Sequence, residues 1–257
     1  MKNHIYVLLL FLIFGCATKK EKPIQEPNNL NYKAPAHHIE ALTKVFDAHG
    51  GYENWLKMET LSYNKGEERT ITNLQNRKIR LESPNQIIGF DGKNVWVSPD
   101  SVDASQARFY HNLYFYFFAM PFVVGDPGAF YQVLDSKEIN GKMYEGLKVS
   151  YNDGVGDSPE DNYIIWSDPE TNQMEWLMYT VTYRSKETSE DYRLIRYADW
   201  KGFNGVVLPQ SLQWFHFSND SIGNLRSEVI FENIELSDTA TDSSIFEMPE
   251  NAKVASR

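Results

Sequence analysis

Apolar positions recur at helical spacing only near the start of the body of this chain. Ile39, Leu42, Val45 and Phe46 fall at i, i+3, i+6 and i+7, which predicts a helix over about 36–48 with one apolar stripe. His49-Gly50-Gly51 then supplies the left-handed stop expected at a helix C-terminus. Tyr52, Trp55 and Leu56 predict a further short turn packed back on the stripe. Beyond Trp55 the period falls to two. Lys78-Ile79-Arg80-Leu81-Glu82 alternates, as does Leu61 with Tyr63, and further strands are expected at 86–97, 130–138, 142–152, 162–167, 173–184, 190–200, 206–217 and 224–236. Asp91-Gly92, Asn140-Gly141, Asp168-Pro169, Asn204-Gly205 and Ser221-Ile222-Gly223 punctuate them as turns. About ten strands joined by short turns imply a sequential antiparallel meander. With helices only at the start and in one insertion, a parallel α/β fold is excluded.

Several strands are apolar on both faces. Met174, Trp176 and Met178 alternate with Leu177, Tyr179, Val181 and Tyr183, and Leu212 and Trp214 alternate with Phe215 and Phe217. A sheet with one wet face shows polar residues at every second position, so here both faces call for cover. The stretch from Phe109 to Phe122 offers it, with eight aromatics in fourteen residues. Read as one helix from about 104, it places Tyr110, Tyr114, Phe117 and Phe118 on a shared face, and Pro121 ends it. A helix apolar almost all round either plugs a concave sheet or lids an apolar site. The expected ligand-binding residues are therefore Trp96, Tyr110, Tyr114, Phe117, Phe118, Trp176 and Trp214, with Trp166 as a further wall.

Three stretches resemble the LolA/LolB-like superfamily of envelope lipoprotein carriers and its relatives of unknown function. These are Ala48-His49-Gly50-Gly51 followed by Trp55, the hairpin Phe90-Asp91-Gly92-Lys93-Asn94-Val95-Trp96, and the closing Ser244-Ile245-Phe246-Glu247-Met248-Pro249. The likeness is one of pattern over most of residues 36–250. It implies a curved antiparallel half-barrel covered at its mouth by helices, with an apolar cavity between. The fold class expected is thus mostly β (α+β), with an N-terminal helix and an aromatic helical insertion.

The N-terminus adds an address. Met1-Lys2-Asn3-His4 precedes ten apolar or aromatic residues, Ile5 to Phe14, and then Gly15-Cys16. At about 1.5 Å per residue such a run covers roughly half of a ~30 Å hydrocarbon core, which suits a signal segment and not a span. Ile13-Phe14-Gly15-Cys16 resembles the bacterial lipobox, which implies cleavage before Cys16 and lipidation of its sulfur. The expected organisation is a signal peptide over 1–15, a lipidated cysteine and tether over 16–35, and a single domain over 36–257. The tether carries three prolines and no apolar period, and at about 3.3 Å per residue it reaches on the order of 60 Å. Ala17-Thr18 lacks the aspartate associated with inner-membrane retention, so the outer membrane is favoured.

Composition narrows the chemistry. Cys16 is the one cysteine of 257 residues, which removes disulfides and thiol chemistry from the body. A net charge of −10 with no basic stripe argues against nucleic acid, and leaves acyl chains to do the anchoring. No Gly-x-Ser-x-Gly, His-Glu-x-x-His or phosphate-cradling glycine loop occurs, so no enzyme is expected, a carboxylate-dependent hydrolase being the remote exception. The acidic loop 152–161 offers Asp153, Asp157, Glu160 and Asp161 as oxygen ligands for Ca2+, against the commoner outcome of a solvated loop. The expected function is a lipid-anchored protein holding a lipid, acyl chain or other hydrophobic molecule. The alternative is an interaction scaffold with a filled core and envelope protein partners.

Overall fold

A computed structural model describes residues 38–152 and 158–255. Cys16, the apolar run, the tether, and Asp153 and Asp157 of the acidic loop lie outside the described residues.

The chain opens with α1 (Glu40–Ala48) and α2 (Tyr52–Leu56). Leu42, Val45 and Phe46 are the buried stripe of α1, as the spacing predicts. Gly50 ends α1 at φ 97°, where a Cβ would lie 2.1 Å from the Gly205 carbonyl oxygen. The backbone N–H of Val207 donates to the His49 carbonyl beside it at 2.8 Å, so the helix is sewn to the sheet at a point where only glycine fits.

Five strands follow: β1 (Thr60–Lys65), β2 (Glu68–Asn73), β3 (Ile79–Ser83), β4 (Gln86–Phe90) and β5 (Val95–Ser98). The aromatic insertion is three short helices, α3 (Ala107–Tyr110), α4 (Leu113–Phe118) and α5 (Met120–Val123). Then come β6 (Ala129–Ile139), β7 (Lys142–Tyr151), β8 (Tyr163–Ser167), β9 (Met174–Tyr179), β10 (Arg193–Phe203), β11 (Val206–Ser218), β12 (Ser221–Ile230) and β13 (Glu232–Ser237). A 3-10 turn (Ser243–Phe246) and β14 (Lys253–Val254) close the described chain.

Two seven-stranded antiparallel sheets result, in the orders β13-β1-β2-β3-β4-β5-β14 and β12-β11-β10-β9-β8-β7-β6. Phe231 joins them. It stands between β12 and β13, fully buried, with its N–H on the Gln210 carbonyl, so one run of chain leaves the second sheet and enters the first. Both sheets are curved and unclosed, the mostly β half-barrel class that the alternation and the resemblance implied. The main core lies between the sheets and the helices, and includes Leu61, Tyr63, Val97, Phe118, Phe122, Ile165, Leu177, Ile195 and Leu212.

The structure corrects three expectations of detail. Among the described residues fourteen strands replace about ten, because 86–97 folds back at Asp91-Gly92, 224–236 breaks at Phe231, and β2 and β14 carry no clear apolar alternation. The insertion is not one helix, since Asn112 (φ −118°, ψ 0°) and Ala119 (φ −92°, ψ 14°) leave helical geometry. Pro121 opens α5 instead of ending a helix; in a first turn its missing N–H costs nothing.

Candidate functional site

The insertion packs into the concave side, with Phe118 and Phe122 at full depth and Tyr110, Leu113 and Tyr114 nearer the surface. Phe118 and Phe122 are fully buried, and each such side chain contributes about 1.5–3 kcal/mol. Phe118 lies 4.8 Å from the Tyr63 ring and 4.6 Å from Phe231; Phe122 stacks on Trp55 at 4.7 Å. The Tyr197 hydroxyl donates to the Phe117 carbonyl at 2.8 Å, and the Tyr131 hydroxyl donates to the Val124 carbonyl at 2.8 Å. Arg77, in the β2–β3 turn, makes a two-pronged ion pair with Asp126 at 2.7 and 2.8 Å and lies over the Phe115 ring. Burial pushes the Asp126 carboxyl up to about 6, against the downward pull of Arg77.

Tyr110, Leu113 and Tyr114 are only partly buried, and Tyr114 borders an open cleft. That cleft, about 500 Å³, is lined by Lys65, Gly66, Tyr114, Glu228, Val229, Ile230 and Glu232. Lys65 and Glu68 form its polar corner. Lys65 Nζ meets the Glu68 carboxylate at 3.4 Å and lies over the Tyr114 ring at 4.6 Å and the Tyr110 ring at 5.6 Å. Glu68 also accepts from the Tyr110 hydroxyl at 3.1 Å and the Ser83 hydroxyl at 3.3 Å. Burial, with the Glu68 charge beside it, raises the Tyr110 pKa and keeps that hydroxyl a donor.

Aromatic rings lead inward from this corner. Tyr110 and Tyr114 are 5.7 Å apart, Tyr114 is 6.4 Å from Trp214, and Phe117 is 5.9 Å from Trp214 and 4.8 Å from Tyr179. Trp214 Nε1 donates to the Tyr179 hydroxyl at 3.0 Å, so the tract carries a polar bond within it. An arrangement of this kind can hold an apolar chain along the rings and a polar group at Lys65 and Glu68. It has no nucleophile paired with a base.

Phe118 packs on Tyr63 and Phe231 in the core, while four of the seven expected ligand-binding residues meet here: Tyr110, Tyr114, Phe117 and Trp214. Trp96 and Trp176 do not. Trp96 lies on the face of β5 opposite Val95 and Val97, over Gly89, where a Cβ would sit 2.1 Å from its ring. Its indole N–H donates to the Phe246 carbonyl at 3.1 Å, which holds the C-terminal segment across that outer face. Trp176 belongs to a second buried cluster with Trp166, Met178 and Leu194, on the outer face of the other sheet. Asp161 accepts from the Thr182 N–H at 2.7 Å and hydroxyl at 2.8 Å, and so braces a loop; Glu160 is half-buried nearby. Lys65 and Glu68 went unseen in the sequence, because the inward face of β2 reads Glu68, Thr70, Thr72 and shows no apolar signal.

Fold and site thus define a class: an open, mostly β half-barrel whose mouth is stopped by an aromatic insertion. The chain belongs to the family described as "Family of unknown function (DUF6503)", whose model matches residues 56–211. No curated protein matches it. Similar solved structures include a DUF1329 family protein from Desulfovibrio piger (10% identity, 81% of this chain and 98% of that one, TM-score 0.46). The LolA superfamily protein NE2245 from Nitrosomonas europaea is also similar (13% identity, 74% and 87%, TM-score 0.45). A third is a putative outer membrane lipoprotein-sorting protein domain from Vibrio parahaemolyticus (7% identity, 76% and 93%, TM-score 0.42).

Proposed function

We propose that this protein is a non-catalytic binding protein of the cell envelope, anchored through Cys16 at the outer membrane, that holds a single-chain amphiphile at the mouth of its half-barrel. The observation that carries this reading is the unequal burial of the insertion. Phe118 and Phe122 are locked in the core, while Tyr110 and Tyr114 stand half-buried beside a cleft that ends in a lysine–glutamate corner. The apolar chain would run past Tyr114 toward Phe117 and Trp214, and the head group would take Lys65 and the Tyr110 hydroxyl. Glu68, Glu228 and Glu232 surround one lysine, a balance that favours a neutral or zwitterionic head over an anionic one.

Native mass spectrometry tests it, with the full chain released from membranes and stripped of detergent in the gas phase. One amphiphile adduct is expected per chain, lost in Trp214→Ala; adduct-free protein, or adducts indifferent to Trp214, would refute the reading. The anchor is tested by fractionation: Cys16→Ser moves the protein from membrane to soluble fraction, and an unchanged partition would remove Cys16 as the anchor.

A specific observation favours a second reading, a scaffold that binds envelope proteins. The deep part of the core is already filled, with Phe118, Phe122 and Val124 fully buried. Crosslinked partners recovered from intact cells, together with adduct-free spectra, would select it.

A further inference from the structure

The outer face of the β6–β12 sheet carries a second cleft, apart from the first. There the tips of the β6–β7 and β11–β12 hairpins approach each other, and Lys137 pairs with Asp220 across the gap. A cleft of about 410 Å³ opens beside the second cluster, bordered by Asn140, Lys142, Tyr144, Glu175, Trp176 and Arg196. Its size lies within the roughly 300–1,000 Å³ of small-molecule sites.

Glu175 organises the rim. One of its oxygens accepts from Arg196 Nη2 at 3.1 Å and Nε at 3.3 Å; the other accepts from the Tyr144 hydroxyl at 2.8 Å and Lys142 Nζ at 3.2 Å. Lys142 also pairs with Asp168. Burial raises the Glu175 pKa, but the bonds from Tyr144 and Lys142 outweigh it, and its carboxyl falls below the usual range. The bond from Lys142 holds Asp168 down to about 2. Two cations and two ionised carboxylates therefore cancel.

Hydrogen-bonding capacity does not cancel. The four bonds that Glu175 accepts occupy both its oxygens, whereas Arg196 and Lys142 retain donors, having five and three in all. Beneath them the buried indole N–H of Trp176 faces the Tyr144 hydroxyl, whose own O–H donates to Glu175. The cleft is thus electrically neutral, offers spare donors from Arg196 and Lys142 with the Asn140 amide beside them, and is walled by rings, Phe215 among them.

We infer that this cleft binds a neutral saccharide, whose hydroxyl and acetamido oxygens meet the spare donors while its C–H face lies against the aromatic wall. An acidic glycan is disfavoured by the neutral rim and by a chain of net charge −10. The site lies across the sheet from the amphiphile cleft and stands without it.

Titration calorimetry on the full chain in lipid nanodiscs tests the assignment. The probes are tri-N-acetylchitotriose, maltotriose, trigalacturonate and an acetylated tripeptide amide. Saturable binding of a neutral trisaccharide is expected, with quenched tryptophan emission and at least tenfold weakening in Glu175→Gln and in Tyr144→Phe. The second variant keeps the ring and its packing, and thermal unfolding checks that both variants fold. The inference is overturned if neither neutral sugar binds, or if the variants bind as well as the parent. Preference for trigalacturonate or the tripeptide would also overturn it.

Discussion

Arg77 and His49 show how single side chains hold the mouth in shape. Arg77 ties the β2–β3 turn to Asp126 at the end of the insertion, and both side chains are mostly buried. Its removal leaves a buried carboxylate without its partner, so Arg77→Ala is expected to destabilise by about 3 kcal/mol, as denaturant unfolding would read. His49 is fully buried between α1 and Trp200, 4.5 Å from that ring, with Nδ1 2.7 Å from the Val45 carbonyl oxygen. Burial lowers its pKa from 6.5 to about 4, against the upward pull of the Val45 bond. As pH falls the unfolded chain takes this proton first, so stability is full above pH 6.5 and is lost down to about pH 4. Asp126 acts in the opposite sense between about pH 6 and 3.8, because there the folded chain takes the proton first. Comparison with His49→Gln isolates the histidine: between pH 7 and 4.5 the parent should lose ~2–3 kcal/mol more than the variant. Equal losses would mean that His49 does not titrate as its burial requires. At this scale the sequence is legible only in part. Alternation shows that Trp96 and Trp176 are buried but not on which face, because Val95 and Val97 flank Trp96 and Leu177 follows Trp176.

Among the elements, the proposed function divides the insertion into a packed part and a binding part. Phe118→Ala removes a fully buried ring and is expected to cost about 3–5 kcal/mol. Tyr114→Ala, at the half-buried end, should cost well under half of that and abolish the amphiphile adduct. Thermal unfolding and native mass spectrometry on both variants separate the two roles; comparable destabilisation would make the insertion a plug throughout. The density of rings in 109–122 announces this element, whereas its division into three helices depends on Asn112 and Ala119, whose backbone angles follow from packing. Strand β2 is the instructive omission. Glu68, Thr70 and Thr72 face inward and are buried, so the strand that carries the polar corner lacks the apolar pattern by which strands are found. Polar residues facing a core hide the strand that carries them.

Across the whole molecule, the pairing of β13 with β1 joins the two ends of the domain, with Leu61 opposite Leu236 and Thr60 opposite Ser237. The mouth depends on that closure, since its cleft takes Lys65 from one end of the chain and Glu228 to Glu232 from the other. Meander order and fold class follow from period and turns. The meeting of two sheets at Phe231 does not, because a single buried phenylalanine within a run of strand residues carries no mark of a change of sheet. The most direct test of the account is photo-crosslinking of the full chain in vesicles containing a zwitterionic lysophospholipid with a diazirine in its acyl chain, with labelled peptides mapped by mass spectrometry. Labels are expected on residues 110–117, Trp214 and Val229. Labels confined to the outer cluster around Trp166 and Trp176, or spread without preference over the surface, would contradict it.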